Sequence, residues 1–288
     1  MDILITGILL GATYALLAMG LTLQYGVARI MNLANGEMLV AGAFGAFWVV
    51  TVHQLNPYVA LLFAGPAAFV LNWLIYRYLL LPLVKRAKNR GMLEVDSILA
   101  TFGMSFAMVG IMLMTFGGDF FNYSFLAQPF VIFGSNFGLN RVVACLVAVA
   151  ICALLYWGLN ATRVGMAIRA VAVDPASAGL VAIDVPKLSA FSFALGGAVT
   201  AAAGIMLSTF LTLDASIGVV FTMKALIIVI MGGVGDVRGA IVAALILGLA
   251  ETAVASLIDP GLTLAAAYLL FVLVLLFRPE GLFGRRTS

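Results

Sequence analysis

Long apolar runs, separated by short polar connections, constrain this chain more than any other feature. Most of the runs are about as long as the ~20 residues that cross a bilayer as a helix. They predict spans at about 3–25, 36–52, 58–81, 94–116, 141–160, 189–212, 217–235, 238–258 and 261–277. The last three runs are so crowded that one of them is also compatible with a re-entrant segment. We therefore expect an all-α polytopic membrane protein, a bundle of eight or nine transmembrane helices forming one domain over residues 1–288.

Composition excludes the classes of protein that work in water. The chain is 64% hydrophobic and only 9% charged, whereas soluble domains average about 45–50% and about 25%. No soluble part is large enough to fold alone. The first run lacks a basic segment before it and a small-residue cleavage site, so we interpret it as a retained span. The net charge of +3 gives no indication of nucleic-acid binding.

The basic residues orient the spans. The loop at 85–90 holds four cations, Lys85, Arg86, Lys88 and Arg90, and is therefore predicted to be cytoplasmic. Counting nine spans from there places the following on the same side: Arg29, Arg77, Arg163, Arg169, Lys187, Arg238, Arg278, Arg285 and Arg286. Of the fifteen basic residues, only Arg141 and Lys224 fall elsewhere. This predicts an outside N-terminus and a cytoplasmic C-terminus.

The longest polar interruption in the second half of the chain, 161–188, reads as two short helices around a break. An apolar face runs along its first part, and Pro175 suits the first turn of a second helix. A helix pair of this kind outside the bilayer indicates a surface for a partner or for the membrane interface. An ordinary cytoplasmic loop is the alternative.

The second span begins with unusual polarity, with Asn32, Asn35 and Glu37 in seven residues (31–37). Asn35 is a candidate N-cap, and Glu37 suits the positive end of the helix dipole. Residues 26–35 would then be irregular near the inner face, which is tolerated where protein buries the backbone or where it borders a watery cavity. The segment is either a capped helix start without further function or part of a translocation path.

Two more ionisable residues, Lys224 and Glu251, fall inside predicted spans. Such residues usually face the bundle interior or a cavity, so they are candidates for the path or for a link between helices. Small residues also recur at helix-contact spacing, namely Gly7, Gly11 and Ala15 in the first span and Gly239, Ala240, Ala243, Ala244 and Gly248 in the eighth. The one histidine, His53, is predicted in an outer turn. A histidine-based metal site or a catalytic cluster is therefore not expected, which argues against a membrane-embedded enzyme.

Several stretches together resemble one family, the permease subunits of branched-chain amino-acid ABC importers of the LivH type. They are Gly11–Phe44, Ile98–Phe106, Gly165–Ile205, Met223–Glu251 and Arg278–Gly284. The resemblance covers nearly the whole chain in the right order. It implies a non-enzymatic permease in a bacterial inner membrane, with ATP and Mg²⁺ bound on partner subunits and no cofactor in this chain. The implied partners are two ATP-binding subunits, a homologous LivM-like permease, an extracytoplasmic substrate-binding protein and the lipid bilayer.

The resemblance also assigns residues. It implies that 161–188 docks on an ATPase subunit, with Ala170, Asp174, Ala178 and Gly179 at the positions of the family's docking loop. The charged residues Arg163, Arg169 and Asp184 of the same segment complete the predicted coupling set. Independently of the resemblance, the polar residues of the spans discussed above are the candidates for the substrate path, namely Asn32, Asn35, Glu37, Lys224 and Glu251.

The chain departs from the family at two positions of interest. Asn35 replaces the family's histidine before Gly36 and Glu37, and Asp236 to Arg238 replace the residues of its Gly-Ser-Ile-Pro-Gly turn. The expected substrate is therefore a branched-chain or other hydrophobic amino acid, or a related small solute such as urea, an amide or an aromatic acid. An ion-gradient-driven secondary transporter is the alternative. The few membrane charges argue against it, as does a helix break expected at the inner end.

Overall fold

A computed structural model describes residues 1–87, 89–132 and 135–284. Its helices are α1 (Asp2–Ala28), α2 (Asn35–His53), α3 (Ala60–Ile75), α4 (Leu81–Arg86), α5 (Arg90–Phe116), α6 (Leu139–Ala161), α7 (Arg163–Val173), α8 (Pro175–Leu180), α9 (Val185–Ser208), α10 (Gly218–Gly232), α11 (Val237–Leu257) and α12 (Thr263–Phe277). A π-helical turn at Tyr76–Leu80 joins α3 to α4, and short 3₁₀ turns precede α3 and α12. Strands β1 (Pro129–Ile132) and β2 (Ser135–Gly138) form one antiparallel hairpin.

The prediction of an all-α polytopic membrane protein is confirmed. Among the described residues, 8 helices are long and apolar enough to cross a membrane, the third being the continuous stretch Pro57–Arg86. The remaining apolar helix, α10, has 15 residues and is therefore about 22 Å long. It is shorter than the ~30 Å hydrocarbon core. The number of spans is eight without α10 and nine if α10 is counted.

The core forms around α1 and α9, which are buried along most of their lengths. Small residues let α1 approach α11 closely, as their spacing predicted. A Cβ built on Gly248 would lie 2.6 Å from the backbone nitrogen and Cα of Gly11. In contrast, α5 and α12 bury few residues and present apolar side chains outward, as expected of helices that contact lipid.

The two ends of the bundle differ in charge. We call the end that carries α7 and α8 the basic end, because Arg29, Arg77, Arg163, Arg169 and Lys187 all lie there. The opposite end, the hairpin end, carries β1 and β2 and the basic residue Arg141. Lys88, Arg285 and Arg286, which also entered the orientation argument, lie outside the described residues.

The helix pair predicted in 161–188 is present as α7 and α8. The Thr162 hydroxyl accepts a hydrogen bond from the Gly165 N–H, 3.0 Å, at the start of α7, and an Asp174 carboxylate oxygen accepts one from the Ala176 N–H, 3.0 Å, at the start of α8. Both are N-cap bonds that satisfy donors which a helix start leaves free. Pro175 occupies the first position of α8, where no N–H is needed.

The α1–α11 contact yields a stability prediction. Gly248→Ala places a methyl group against the α1 backbone, which has no rotamer by which to yield, so the free energy of unfolding should fall by about 1–3 kcal/mol. Gly110→Ala in α5 is the matched control, because nothing lies within 4 Å of its Cβ position. It should raise the stability by up to about 1 kcal/mol. Thermal unfolding of both variants in mild detergent makes the comparison, and equal effects would contradict the packing argument.

Candidate functional site

The chain between α1 and α2 leaves helical structure inside the bundle, and side chains from other helices satisfy its backbone. The Thr101 hydroxyl accepts a hydrogen bond from the Leu33 N–H and lies within hydrogen-bond distance of the Met31 carbonyl, both 3.1 Å. From α10, the Thr222 hydroxyl accepts one from the Gly36 N–H, 2.8 Å. Since a backbone group without a partner costs several kcal/mol in an apolar medium, these two threonines make the break tolerable.

The break lies deeper than the sequence indicated. After α1 ends, the chain turns back along it, and the Asn32 amide donates a hydrogen bond to the Gln24 side chain, 2.9 Å. Asn35 then reaches Thr200 of α9, which also packs against Gly20 of α1. Gly20 is eight residues from the end of α1, so α2 begins about 12 Å inside the bundle. The break expected at the inner end, which argued against a secondary transporter, thus extends from the end of α1 into the bundle.

Asn35 and Glu37 are fully buried at the start of α2. Asn35 is the first helical residue and not the N-cap that we expected. Its side-chain oxygen does not cap the helix but accepts a hydrogen bond from the Thr200 hydroxyl, 3.0 Å. One oxygen of Glu37 accepts a hydrogen bond from Ser105 of α5, 3.0 Å. Among the described residues, the other Glu37 oxygen and the Asn35 amide nitrogen have no partner. The first turn of α2 thus offers one free acceptor and one free donor.

The Glu37 side chain lies against α10 where that helix begins. A Cβ built on Gly218 would overlap the free carboxylate oxygen of Glu37. Any side chain at this position would therefore displace the carboxylate. Glycine at 218 keeps α10 close to α2 and leaves the acceptor at the junction of α2, α5 and α10.

Lys224 and Glu251, which the sequence offered as a candidate link between helices, form a buried ion pair. The ammonium nitrogen lies 2.8 Å from a Glu251 oxygen, and the two side chains are 11% and 4% exposed. The same ammonium donates to the Tyr14 hydroxyl, 2.8 Å, which in turn donates to the same Glu251 oxygen, 2.8 Å. These three contacts tie α10 to α1 and α11.

The five predicted pathway residues thus fall into two clusters. Thr222 faces the α2 start and Lys224 faces α1. Side chains two positions apart on an α-helix point in directions about 200° apart. The short helix α10 therefore separates Asn32, Asn35 and Glu37 from Lys224 and Glu251. Sequence reasoning missed the partners of both clusters, which are Tyr14, Gln24, Thr101, Ser105, Thr200, Gly218 and Thr222. Ser97, Thr101 and Ser105 recur every four residues on one face of α5, a signal that was readable in the sequence.

The predicted coupling residues occupy the basic end. Arg163, Arg169, Ala170, Asp174, Gly179 and Asp184 are exposed, whereas Ala178 is buried beneath α8. Arg169 donates to the Asn160 side chain, 3.0 Å, and Asp184 pairs with Lys187, 2.8 Å, which holds the pKa of the Asp184 carboxyl below its usual value. Their role in coupling stays a prediction. Large apolar side chains are exposed beside them, with Val173 at 73%, Leu180 at 88% and Val181 at 70%.

One hydrogen bond joins α7 directly to the break. Arg29 ends α1 in the left-handed conformation, φ 55°, and its guanidinium donates to the Ala172 carbonyl near the end of α7, 2.6 Å. The residue that begins the break is therefore attached to the exposed helix pair.

Aromatic side chains close the hairpin end above the α2–α5 contact. Phe44 of α2 stacks on Phe116 of α5 with ring centroids 4.1 Å apart, and Phe121 packs on Phe44 edge to face. Two backbone hydrogen bonds between Phe121 and Leu213 hold this loop in place. Tyr123 is hydrogen-bonded to Ser208, and its burial raises the pKa of the phenol to about 12. The layer lies about two turns above Glu37.

A bundle of membrane-spanning helices with an interior break and an exposed helix pair at one end defines a class, the multi-pass membrane transport proteins. The family model for the permease component of branched-chain amino acid transport systems matches residues 3–277. The chain belongs to this family.

Several curated relatives match the chain over most of its length. The high-affinity branched-chain amino acid permease protein BraD of Pseudomonas aeruginosa is 30% identical, covering 98% of this chain and 95% of the relative. LivH of Escherichia coli is 29% identical, over 97% and 94%. A probable LivH of Methanocaldococcus jannaschii is 28% identical, over 93% and 88%. PsaBC from Streptococcus pneumoniae, solved with a Fab, shares the fold, with a TM-score of 0.53 at 10% identity, covering 98% of this chain and 94% of the other.

The buried ion pair yields a prediction with a built-in control. Lys224→Met leaves the Glu251 carboxylate without its counter-charge, and Glu251→Leu leaves the Lys224 ammonium without its own. Each change should lower the free energy of unfolding by about 3–5 kcal/mol. The double variant should recover most of that loss, because no uncompensated charge remains. Lys187→Met breaks an exposed pair of the same 2.8 Å length and should cost less than about 1 kcal/mol. Chemical unfolding in detergent measures all four, and additive single effects would contradict the pairing.

Proposed function

We propose that this chain is the membrane-spanning subunit of an ATP-driven importer for branched-chain or other hydrophobic amino acids, or a related small solute such as urea, an amide or an aromatic acid. The observation that carries the proposal is the exposed helix pair α7–α8 on a chain of this permease family. Val173, Leu180 and Val181 are exposed on that pair at the basic end. Such a surface suits the groove of a partner that binds ATP with Mg²⁺ and hydrolyses the ATP. Exposed apolar patches with polar rims are typical of protein–protein contacts.

The proposed assembly contains a second, homologous permease, two ATP-binding subunits and an extracytoplasmic binding protein. The basic end then faces the cytoplasm, with the C-terminus, since basic residues are enriched on that side of a membrane. The location is a bacterial inner membrane. Arg163, Arg169, Ala170, Asp174, Gly179 and Asp184 would line the docking surface, and the buried Ala178 would hold α8 in position from beneath.

The proposed path runs past the α2 start, where Asn35 and Glu37 offer their free donor and acceptor. Asn32 holds the break in place, whereas Lys224 and Glu251 set the position of α10, the helix that lies between the two polar clusters. Movement of α7–α8 would reach the path through the bond between Arg29 and the Ala172 carbonyl. Opening between α2, α5 and α10 would expose Glu37 to a solute.

Leu180→Glu tests the docking surface. The side chain is 88% exposed, so the variant should fold and insert normally, yet a carboxylate in an apolar contact should weaken ATPase docking. We expect the parent chain, purified from its native membrane in mild detergent, to bring ATPase subunits and a second permease with it. The variant should no longer co-purify with the ATPase subunits, and its ATP-driven uptake in proteoliposomes should fall about tenfold or more. Leu257→Glu, 73% exposed at the hairpin end, is the control and should keep the ATPase subunits.

The secondary transporter makes the opposite prediction in the same vesicles. Uptake that needs ATP and survives an ionophore supports the importer. Uptake that collapses with the ion gradient while ATP is present would overturn it, as would recovery of the chain without any ATPase.

Glu37→Gln tests the path. The amide keeps the size of the side chain but removes its charge, and hydrogen bonds to charged groups are worth about 1.5–3 kcal/mol. We expect uptake to fall about tenfold or more while ATPase subunits still co-purify and their basal hydrolysis continues. Glu94→Gln, an exposed carboxylate on α5, should leave uptake unchanged. Normal transport by Glu37→Gln would exclude the carboxylate from the path.

A further inference from the structure

A groove on the outer surface between α3 and α9 combines cations with a long apolar floor. Its mouth at the basic end has a volume of about 740 Å³ and is lined by Trp73, Arg77, Asp184, Lys187 and Phe191 among others. A second, apolar part of about 260 Å³ continues from it along Phe69, Val70, Trp73 and Phe191. Trp73 and Phe191 belong to both parts, so the two form one groove, which we call the α3–α9 groove.

The geometry points to an anionic phospholipid as the occupant of the α3–α9 groove. Its phosphate would lie between Arg77 and Lys187, and the upper part of one acyl chain would follow the apolar floor. Arg77 is eight residues after Phe69 on a continuous helix, so the floor extends about 12 Å from the cations toward the bilayer centre. That distance is within the length of one extended acyl chain, whose lower part would continue into the bilayer.

Charge favours an anionic headgroup at the mouth. Asp184 pairs with Lys187, 2.8 Å, but Lys187 remains 81% exposed and Arg77 has no acidic partner among the described residues. Two cations against one carboxylate leave a net positive charge at the mouth. The Arg77 guanidinium lies over the Trp73 ring, 5.2 Å from its centroid, which orients the cation along the groove. Basic pockets between spans at an interface bind anionic headgroups in this manner.

The lining favours a lipid over a helix from a partner subunit. Helices in membranes associate through small residues that let their backbones approach, as α1 and α11 do here. The floor of the α3–α9 groove is instead built of bulky side chains, Phe69, Val70, Trp73 and Phe191. A flexible acyl chain follows such an uneven surface, whereas a second helix leaves voids against it.

The test is lipid selectivity of the complete purified complex in micelles containing equal amounts of phosphatidylglycerol and phosphatidylcholine. Native mass spectrometry counts the lipid that stays bound. We expect about fivefold more phosphatidylglycerol than phosphatidylcholine, the preference that one net cation near the interface supports. Arg77→Gln with Lys187→Gln should abolish the preference. Lys85→Gln with Arg86→Gln removes two cations from the same end outside the groove and should keep it.

A second measurement locates the lipid without altering the cations. Brominated phosphatidylglycerol should quench the part of the tryptophan fluorescence that Trp73→Phe removes, and brominated phosphatidylcholine should quench that part several-fold less. Excess inorganic phosphate should not relieve the quenching, because the acyl chain contributes to binding. Equal quenching by both lipids overturns the proposal. Release by free phosphate shows an anion site only, and absence of quenching shows a groove covered by protein, and either result also overturns it.

Discussion

Backbone hydrogen bonding inside an apolar bundle is the constraint on which the rest of this structure depends. A helix satisfies its own N–H and C=O groups, so a span can be interrupted only where other side chains supply partners. Here Thr101 and Thr222 supply them, and they come from α5 and α10. The break at the start of α2 therefore fixes which helices must surround it, and it leaves Glu37 at their junction.

The spans and the α7–α8 pair were predictable because lipid imposes length and apolarity on any helix that crosses it, and Pro175 marks a helix start by itself. Pairings across the fold were not. Lys224 and Glu251 are 27 residues apart, and only the packing of α10 on α11 decides that they meet. The depth of the break depended on the chain turning back toward Gln24 after Arg29. Nothing local in the sequence carries that reversal.

The ion pair and the Glu37 carboxylate lie on opposite sides of α10, so different contacts hold the two faces of this helix. Lys224 is held by Glu251 and Tyr14, so that face of α10 is fixed to α1 and α11 by charged contacts that are costly to break in a medium of low dielectric. The face toward α2 carries Thr222, Gly218 and the contact with Glu37, without an ion pair among the described residues. If α10 and α2 separate during transport, the weaker face is the one that yields.

The hydrogen bond between Arg29 and the Ala172 carbonyl is a direct physical contact between α7 and the start of the break. Arg29 is where α1 ends, in a left-handed conformation that few residues other than glycine adopt readily. Its backbone N–H is bonded to the Tyr25 carbonyl, and its guanidinium donates a charge-assisted hydrogen bond of 2.6 Å to α7. Under the proposed coupling, a displacement of α7 would act directly on the first residue of the break. Because Asn32 and Asn35 follow within six residues, the backbone of the break connects this contact with α7 to the buried carboxylate of Glu37.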